Sequence, residues 1–318
     1  MGSVEGRRRM RAASASSGDE ELTCAAQALS LLSSADDETP AQRAARTLPD
    51  LDHPVRERIG GGPVSQVHRA HSKLYGTTVA IKTWSKRHIT AQDLALARTE
   101  CNLLPTLRHP NIAQALHEIE TDDTLRLVMC YYGGGDLLTY VTRRRRLDEA
   151  EARAIFLHLL AALRYAHERG VAHLDVKLEN IFRQVSDYDA QHFICLGDWN
   201  FALPFVRGKK VCVSRGTLAY AAPELLTGQP YEPPTADYWS AAVVLHTMLL
   251  GTTPFHGRTL RETQLSVIGG LRNRTALDGH AISPHGVDLL LAMLCADTAQ
   301  RLCAIEPILA HAWFSQQQ

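Results

Sequence analysis

The hydrophobic pattern of this chain changes period once, at the triplet Gly133-Gly134-Gly135, and that switch limits it to a two-part fold. Before the triplet, apolar residues fall in short strand-type runs broken by turn signals, at residues 55–59, 64–70, 77–83 and 125–130. Between residues 51 and 132 only residues 91–104 carry helical spacing. After the triplet helical spacing dominates, at residues 137–143, 149–169, 235–250, 261–269, 283–296 and 305–311. The expectation is an α+β, bilobal fold. It has a small β-rich lobe with one main helix (residues 53–129), a hinge (130–135) and a larger, mainly helical lobe (136–314). Residues 1–50 read as a disordered tail, because their Arg/Ala/Ser-rich composition has too little apolar surface to fold alone. Within it, residues 20–32 have the spacing of a short helix.

The 318-residue chain is 45% hydrophobic, enough for a full core, and its 34 basic residues balance 34 acidic ones. With no net charge, neither nucleic acid nor a membrane surface is expected as a partner. The seven cysteines show no metal-ligand or paired spacing and read as reduced thiols, which implies a cytoplasmic or nuclear setting. Apolar runs fall short of the ~20 residues a membrane span needs, and Met1-Gly2-Ser3 leads into no apolar signal core. Gly6 stands where a myristoylation motif takes Ser or Thr. The run Arg7-Arg8-Arg9 reads as a solvated tail, with nuclear targeting as the alternative. Only six of the 34 basic residues are lysines, so a lysine that survives this Arg bias is expected to be needed as one.

Two of those lysines lie in segments that carry chemistry. Gly60-Gly61-Gly62-Pro63-Val64-Ser65-Gln66-Val67 joins two strand-type runs, where glycines let backbone N–H groups approach phosphates, although a plain hairpin turn is the commoner reason for such a cluster. The next run, Val79-Ala80-Ile81-Lys82, buries a lysine that needs a counter-charge, and Glu100 on the following helix can supply it. Further on come His173-Leu174-Asp175-Val176-Lys177-Leu178-Glu179-Asn180 and Gly197-Asp198-Trp199-Asn200. Gly216-Thr217 through Ala222-Pro223-Glu224, Asp237-Tyr238-Trp239-Ser240, and finally Arg301 complete the series.

In order and spacing these segments match the protein-kinase signature set. The chain resembles a eukaryotic-type protein kinase of the serine/threonine class from about His53 to Phe314, with a look similar to calmodulin-dependent kinases and a shorter similarity to viral kinases. The resemblance implies ATP and Mg2+ as cofactors. It implies that Lys82, held by Glu100, grips the ATP phosphates, and that Asp198 and Asn180 hold magnesium. Asp175 would orient the substrate hydroxyl and take its proton, and Lys177 would steady the transferring group. Gly60, Gly62 and Ser65 would form the phosphate loop. Val67, Ala80 and Phe182 would sandwich adenine behind the gatekeeper Met129. Cys130 and Tyr132 would offer backbone groups to adenine and Asp136 would bind ribose, while Glu224 and Arg301 would pair structurally.

Three positions depart from the pattern. Leu174 replaces an arginine that normally binds an activation-loop phosphate, and Val213 stands where a phosphorylated Thr is common, so a kinase without that control is expected. Asn200 and Trp199 replace Gly and Phe after Asp198; Asn tolerates left-handed backbone angles, which would preserve the turn. Ser65 replaces one loop glycine. Lys177 and Gly216-Thr217 imply protein substrates with Ser or Thr acceptors. Asp136 and Glu179 imply basic residues upstream, a preference made partial by Thr247 at a position often acidic. Arg11-Ala12-Ala13-Ser14 offers an autophosphorylation site. The alternative readings are a nucleotide-binding pseudokinase acting as regulator or scaffold, a scaffold that binds no nucleotide, and a small-molecule kinase.

Overall fold

A computed structural model describes residues 55–184, 193–271 and 282–315. The tail, its short helix and Ser14 lie outside the described residues. The first lobe is a five-stranded antiparallel sheet in the order β1-β2-β3-β5-β4. Its strands are β1 (Val55–Gly61), β2 (Gln66–Ser72), β3 (Thr77–Ser85), β4 (Ala115–Glu120) and β5 (Thr124–Cys130). The sequence pattern gave no signal for β4, whose alternation is broken by a register shift between Ala115 and His117. Helix α1 (Ala91–Leu103) starts in a reciprocal cap, with Thr90 and Asp93 each satisfying the other's backbone N–H.

Register decides which side chains share a face. Val67 stands opposite Lys82 and Lys82 opposite Leu127, while Ala80 stands between Arg69 and Met129. Cross-strand partners and i, i+2 neighbours point the same way, so Val67, Ala80, Lys82 and Met129 line one face of the sheet. That face looks into the cleft between the lobes.

The second lobe holds α2 (Leu137–Arg144), α3 (Glu149–Glu168), α4 (Pro223–Thr227), α5 (Pro233–Leu250), α6 (Leu260–Gly269), α7 (Pro284–Met293), α8 (Ile305–Leu309) and α9 (Ala312–Ser315). Four short strands, β6 (Val171–Ala172), β7 (Ile181–Arg183), β8 (Ile194–Leu196) and β9 (Leu203–Pro204), pair as β6 with β9 and β7 with β8. Two or three residues are too few to show a period, so the sequence pattern missed them. Helix α5 is buried along nearly its whole length and forms the core's axis. It begins two residues earlier than its spacing suggests, because Pro233 and Pro234 occupy a first turn whose N–H groups have no helical partner anyway. Helix α7 is shorter than expected, entered by Ser283, whose hydroxyl accepts from Gly286 N–H.

The Glu224–Arg301 pair is present as expected. The Arg301 guanidinium donates to both Glu224 oxygens at 2.7 and 3.0 Å, to the carbonyls of Cys295 and Ala296, and lies over the Trp239 ring. Both residues are buried, so neither can be left alone cheaply. Arg301→Ala strands the Glu224 carboxylate and is expected to destabilise the fold by about 3–5 kcal/mol. Glu224→Gln/Arg301→Leu is expected to lose less, as read by chemical denaturation of the two variants.

Candidate active site

Strand β3 aims Lys82 into the cleft, where its ammonium meets two carboxylates. Lys82 Nζ donates to Glu100 Oε2 at 2.7 Å and to Asp198 Oδ1 at 2.6 Å. Glu100 comes from α1 and is fully buried, and its other oxygen accepts from Trp199 N–H at 3.3 Å. One lysine thus ties the sheet, α1 and the segment after β8 together. Burial pulls the Lys82 ammonium down, but the Glu100 and Asp198 charges outweigh it and hold it above the usual lysine range. Burial likewise pushes Asp198 up, yet Lys82 overrides it and keeps the carboxyl below the usual carboxylate range.

Trp199 is fully buried, its indole N–H donating to Leu196 O at 3.1 Å and its ring edge-on to His173 with centroids 4.6 Å apart. The expectation that Asn200 would take left-handed angles is corrected. Asp198 takes them, at φ 57°, whereas Asn200 has no positive φ. The turn therefore does not need glycine at position 200, which explains how Asn fits there. Asn200 carries a buried Oδ1 with no hydrogen-bond partner among the described residues.

The loop after β6 assembles the second cluster. Lys177 Nζ donates to Asp175 Oδ2 at 2.6 Å and to Thr217 Oγ1 at 2.9 Å, while the Thr217 hydroxyl donates to Asp175 Oδ1 at 2.7 Å. The Asn180 amide nitrogen donates to Asp175 O at 2.9 Å and Asp175 Oδ2 at 3.1 Å, and its amide oxygen is a potential cation ligand. Gly197 N–H bonds Asn180 O at 2.8 Å, which places Asn180 beside the Asp198 segment. An aspartate and an amide oxygen in adjoining backbone segments are the hard oxygen donors that magnesium takes, so the residues fit that ion. His173 braces the loop, its Nδ1 accepting from Asp175 N–H at 3.2 Å and its Nε2 bonded to Gly197 O at 3.0 Å.

Hydrogen bonds to the core hold this loop in a strained backbone conformation. Leu174 has φ 60° and is buried, and its N–H and that of His173 both donate to the fully buried Asp237 at 2.8 Å. Gly216, at φ 97°, passes so close that a Cβ there would lie 2.3 Å from Leu174 O. Thr217 and Asp237 are the residues that the sequence reading did not assign to the site. The only signal for Thr217 was its place after Gly216, since its reach to Asp175 is a tertiary fact.

Around the cleft, Phe182 on β7 forms the floor, touching where a Cβ on Gly197 would go and stacking with Tyr132 at 6.3 Å. Phe182 pairs with Asp136, which caps α2 by accepting from Thr139 N–H and Oγ1 at 2.7 and 2.9 Å. Cys130 N–H donates to Gln114 O, which removes it as a donor to a ligand, and the Tyr132 hydroxyl accepts from Gln114 N–H. In the β1–β2 loop, Gly60 and Gly62 have room for a side chain, whereas at Gly61, φ 126°, a Cβ would lie 2.5 Å from Ser65 O. Ser65 thus bends its carbonyl back over Gly61 and accepts from Gly62 N–H at 2.9 Å.

Residues 54–314 match the protein kinase domain family. The chain belongs to that family. Among curated proteins it is similar to NUAK family SNF1-like kinase 1 of Homo sapiens, 35% identical over 204 residues that cover 64% of this chain and 30% of the relative. It is 34% identical to the Mus musculus protein of the same name over the same shares. The chain spans about a third of the length of these relatives. As a kinase domain it has the bilobal α+β fold that its sequence implied.

A double substitution separates a structural ion pair from a working site. Lys82→Met leaves Glu100 buried without a counter-charge and is expected to cost about 3–5 kcal/mol. Adding Glu100→Gln is expected to restore most of that loss in thermal unfolding while leaving nucleotide binding impaired. The acid limb has a sign too. Asp198 contributes stability above its unfolded value near pH 4, lost as pH falls through its depressed folded value. In Lys82→Met that loss is expected at a higher pH, as read by melting temperature against pH.

Proposed function

We propose that this chain is an active protein kinase that transfers the γ-phosphoryl group of ATP to serine or threonine hydroxyls of protein substrates. The observation that carries this reading is Asp175, buried yet held at both oxygens by Lys177 and Thr217, beside the Lys82–Glu100–Asp198 group. In this reading Lys82 positions the ATP phosphates, and Val67, Ala80 and Phe182 clasp adenine behind Met129. The Tyr132 backbone and the Asp136 carboxylate orient the base and ribose. Magnesium, held by Asp198 and Asn180, supplies the positive charge that offsets negative charge developing on the phosphates. Asp175 aligns the substrate hydroxyl and takes its proton as the oxygen bonds to the γ-phosphorus and the bond to the β-phosphate breaks. Lys177, already at Asp175, steadies the transferring group.

Leu174 supports a kinase that works without activation-loop phosphorylation. An apolar, buried side chain stands where a phosphate-binding arginine would be needed. The segment is instead held by Val211 and Tyr231, whose backbones exchange hydrogen bonds at 2.8 and 3.0 Å, and by the Tyr231 hydroxyl donating to Val213 O at 2.7 Å. The half-buried carboxylate of Asp136 and the exposed one of Glu179 favour a basic residue close to the acceptor. Thr247 adds no charge to that preference, because its buried hydroxyl donates to Val243 O.

The test is phosphate transfer from labelled ATP with magnesium to peptides carrying Ser, Thr or Tyr as the sole acceptor. Wild type is expected to label the Ser and Thr peptides, and Asp175→Asn to lose at least a thousandfold in rate. Thr217→Ala is expected to reduce the rate by about ten- to a hundredfold, less than the roughly 10²–10⁴-fold that a catalytic base itself supplies. No transfer by wild type, with magnesium-ATP still raising the melting temperature, would leave the nucleotide-binding pseudokinase, in which the orphaned Asn200 oxygen is the mark of a decayed site.

A further inference from the structure

Four consecutive arginines, Arg143 to Arg146, all exposed, end α2 and open the turn that leads to α3. Arg144 is engaged: it donates to Glu151 Oε2 at 3.3 Å and to the Tyr140 hydroxyl at 3.0 Å. Arg143, Arg145 and Arg146 have no ion pair among the described residues. The turn is nonetheless rigid. Arg145 is in a left-handed conformation at φ 66°, and Leu147 N–H donates to Met248 O at 2.7 Å. Gly251, which ends α5, lies so close that a Cβ there would stand 2.0 Å from Arg145 O. A non-glycine residue held at positive φ and locked against a core helix fixes the backbone that carries the arginines.

Its distance from the cleft indicates what this charge serves. Helix α2 begins at Asp136, which pairs with the cleft floor at Phe182, and ends eight residues later at Arg144. At 1.5 Å per residue the arginines start about 12 Å from the cleft mouth, the length of about four residues of extended peptide. Arg183, which follows Phe182, lies over the Tyr140 ring at 3.5 Å and adds a fifth guanidinium along the way. Since the chain has no net charge, this concentration of one sign is local rather than a general affinity for polyanions.

We propose that the Arg143–Arg146 turn is a specificity site that binds acidic side chains of the protein substrate, four or more residues from the phosphorylated Ser or Thr. The inference rests on the kinase reading and deepens it. Substrates are bipartite, with a basic residue near the acceptor answering Asp136 and Glu179 and an acidic cluster farther out answering the arginines.

The test uses two peptides with the same acceptor and neighbouring arginine, differing only in Glu-Glu-Glu or Gln-Gln-Gln placed four to eight residues away, on either flank in turn. Wild type is expected to show a KM at least fivefold lower for the Glu peptide on one flank, with kcat within twofold and the advantage shrinking as salt rises. Arg143→Glu/Arg146→Glu is expected to abolish or invert that advantage while leaving the Gln peptide unaffected. Arg143→Gln/Arg146→Gln, with an unchanged melting temperature, serves if charge reversal perturbs folding. Anisotropy of the labelled Glu peptide, without ATP, gives a readout that survives even if no transfer occurs, so failure of the kinase reading is separable. Equal KM values for the two peptides in wild type would overturn the proposal. So would arginine-dependent binding of a single-stranded oligonucleotide or phosphatidylserine vesicles with the peptide preference unmoved.

Discussion

One buried carboxylate holds the catalytic loop to the core. Asp237, within α5, accepts from the N–H groups of His173 and Leu174 and from the His167 ring at 2.8 Å. Bonds from two successive peptide units to the two oxygens of one carboxylate fix this stretch of backbone in position. It carries the left-handed Leu174, a conformation costly for a branched side chain and tolerable only where surroundings over-determine it. Helix α5 is in turn immobilised by its own burial and by Arg301 lying over Trp239. The chain of dependence runs from the packed helix, through Asp237, to the strained loop and to Asp175.

The second dependence is electrostatic. Lys82 bonds to a carboxylate from each lobe, Glu100 of the first and Asp198 of the second. Its charge is what makes two neighbouring carboxylates compatible in a cleft of low dielectric. Among the described residues, two of the three non-glycine positions with positive φ, Leu174 and Asp198, belong to segments that contact Asp175 or Lys82, while the third, Arg145, lies just past α2. Unfavourable backbone geometry at such positions persists only where the surrounding scaffold over-determines it.

Much of this was legible in the sequence. The single change of period at Gly133-Gly134-Gly135 gave the two lobes, and the scarcity of lysine drew attention to Lys82 and Lys177 before any contact was known. The ordered motifs located Asp175, Asn180 and Asp198. Tertiary relations stayed hidden. Nothing in the spacing of Thr217 shows its hydroxyl reaching Asp175 across forty-odd residues, and nothing in Asp237 shows that it serves two amides in another segment. The reading of Asn200 erred for a physical reason. A motif position filled by glycine elsewhere suggests left-handed backbone, yet here the left-handed residue is Asp198, two places earlier. The phosphate loop shows a similar displacement, since Gly61 rather than Gly60 or Gly62 bears the tight approach. Strand β4 lacked a clean alternation and could not be read at all.

Trp199 gives the site a pharmacological character of its own. A fully buried indole, bonded to Leu196 O and packed edge-on against His173, is a heavier plug than the phenylalanine that the motif usually carries. Turning that segment outward would forfeit its packing and its hydrogen bond together, a cost of about 3–5 kcal/mol by analogy with removing a buried tryptophan. Small molecules that require the plug to leave its slot must supply that energy from their own contacts. Compounds shaped like the nucleotide, which leave Trp199 where it is, carry no such handicap. A library screened against this cleft would therefore divide by binding mode before it divided by chemistry.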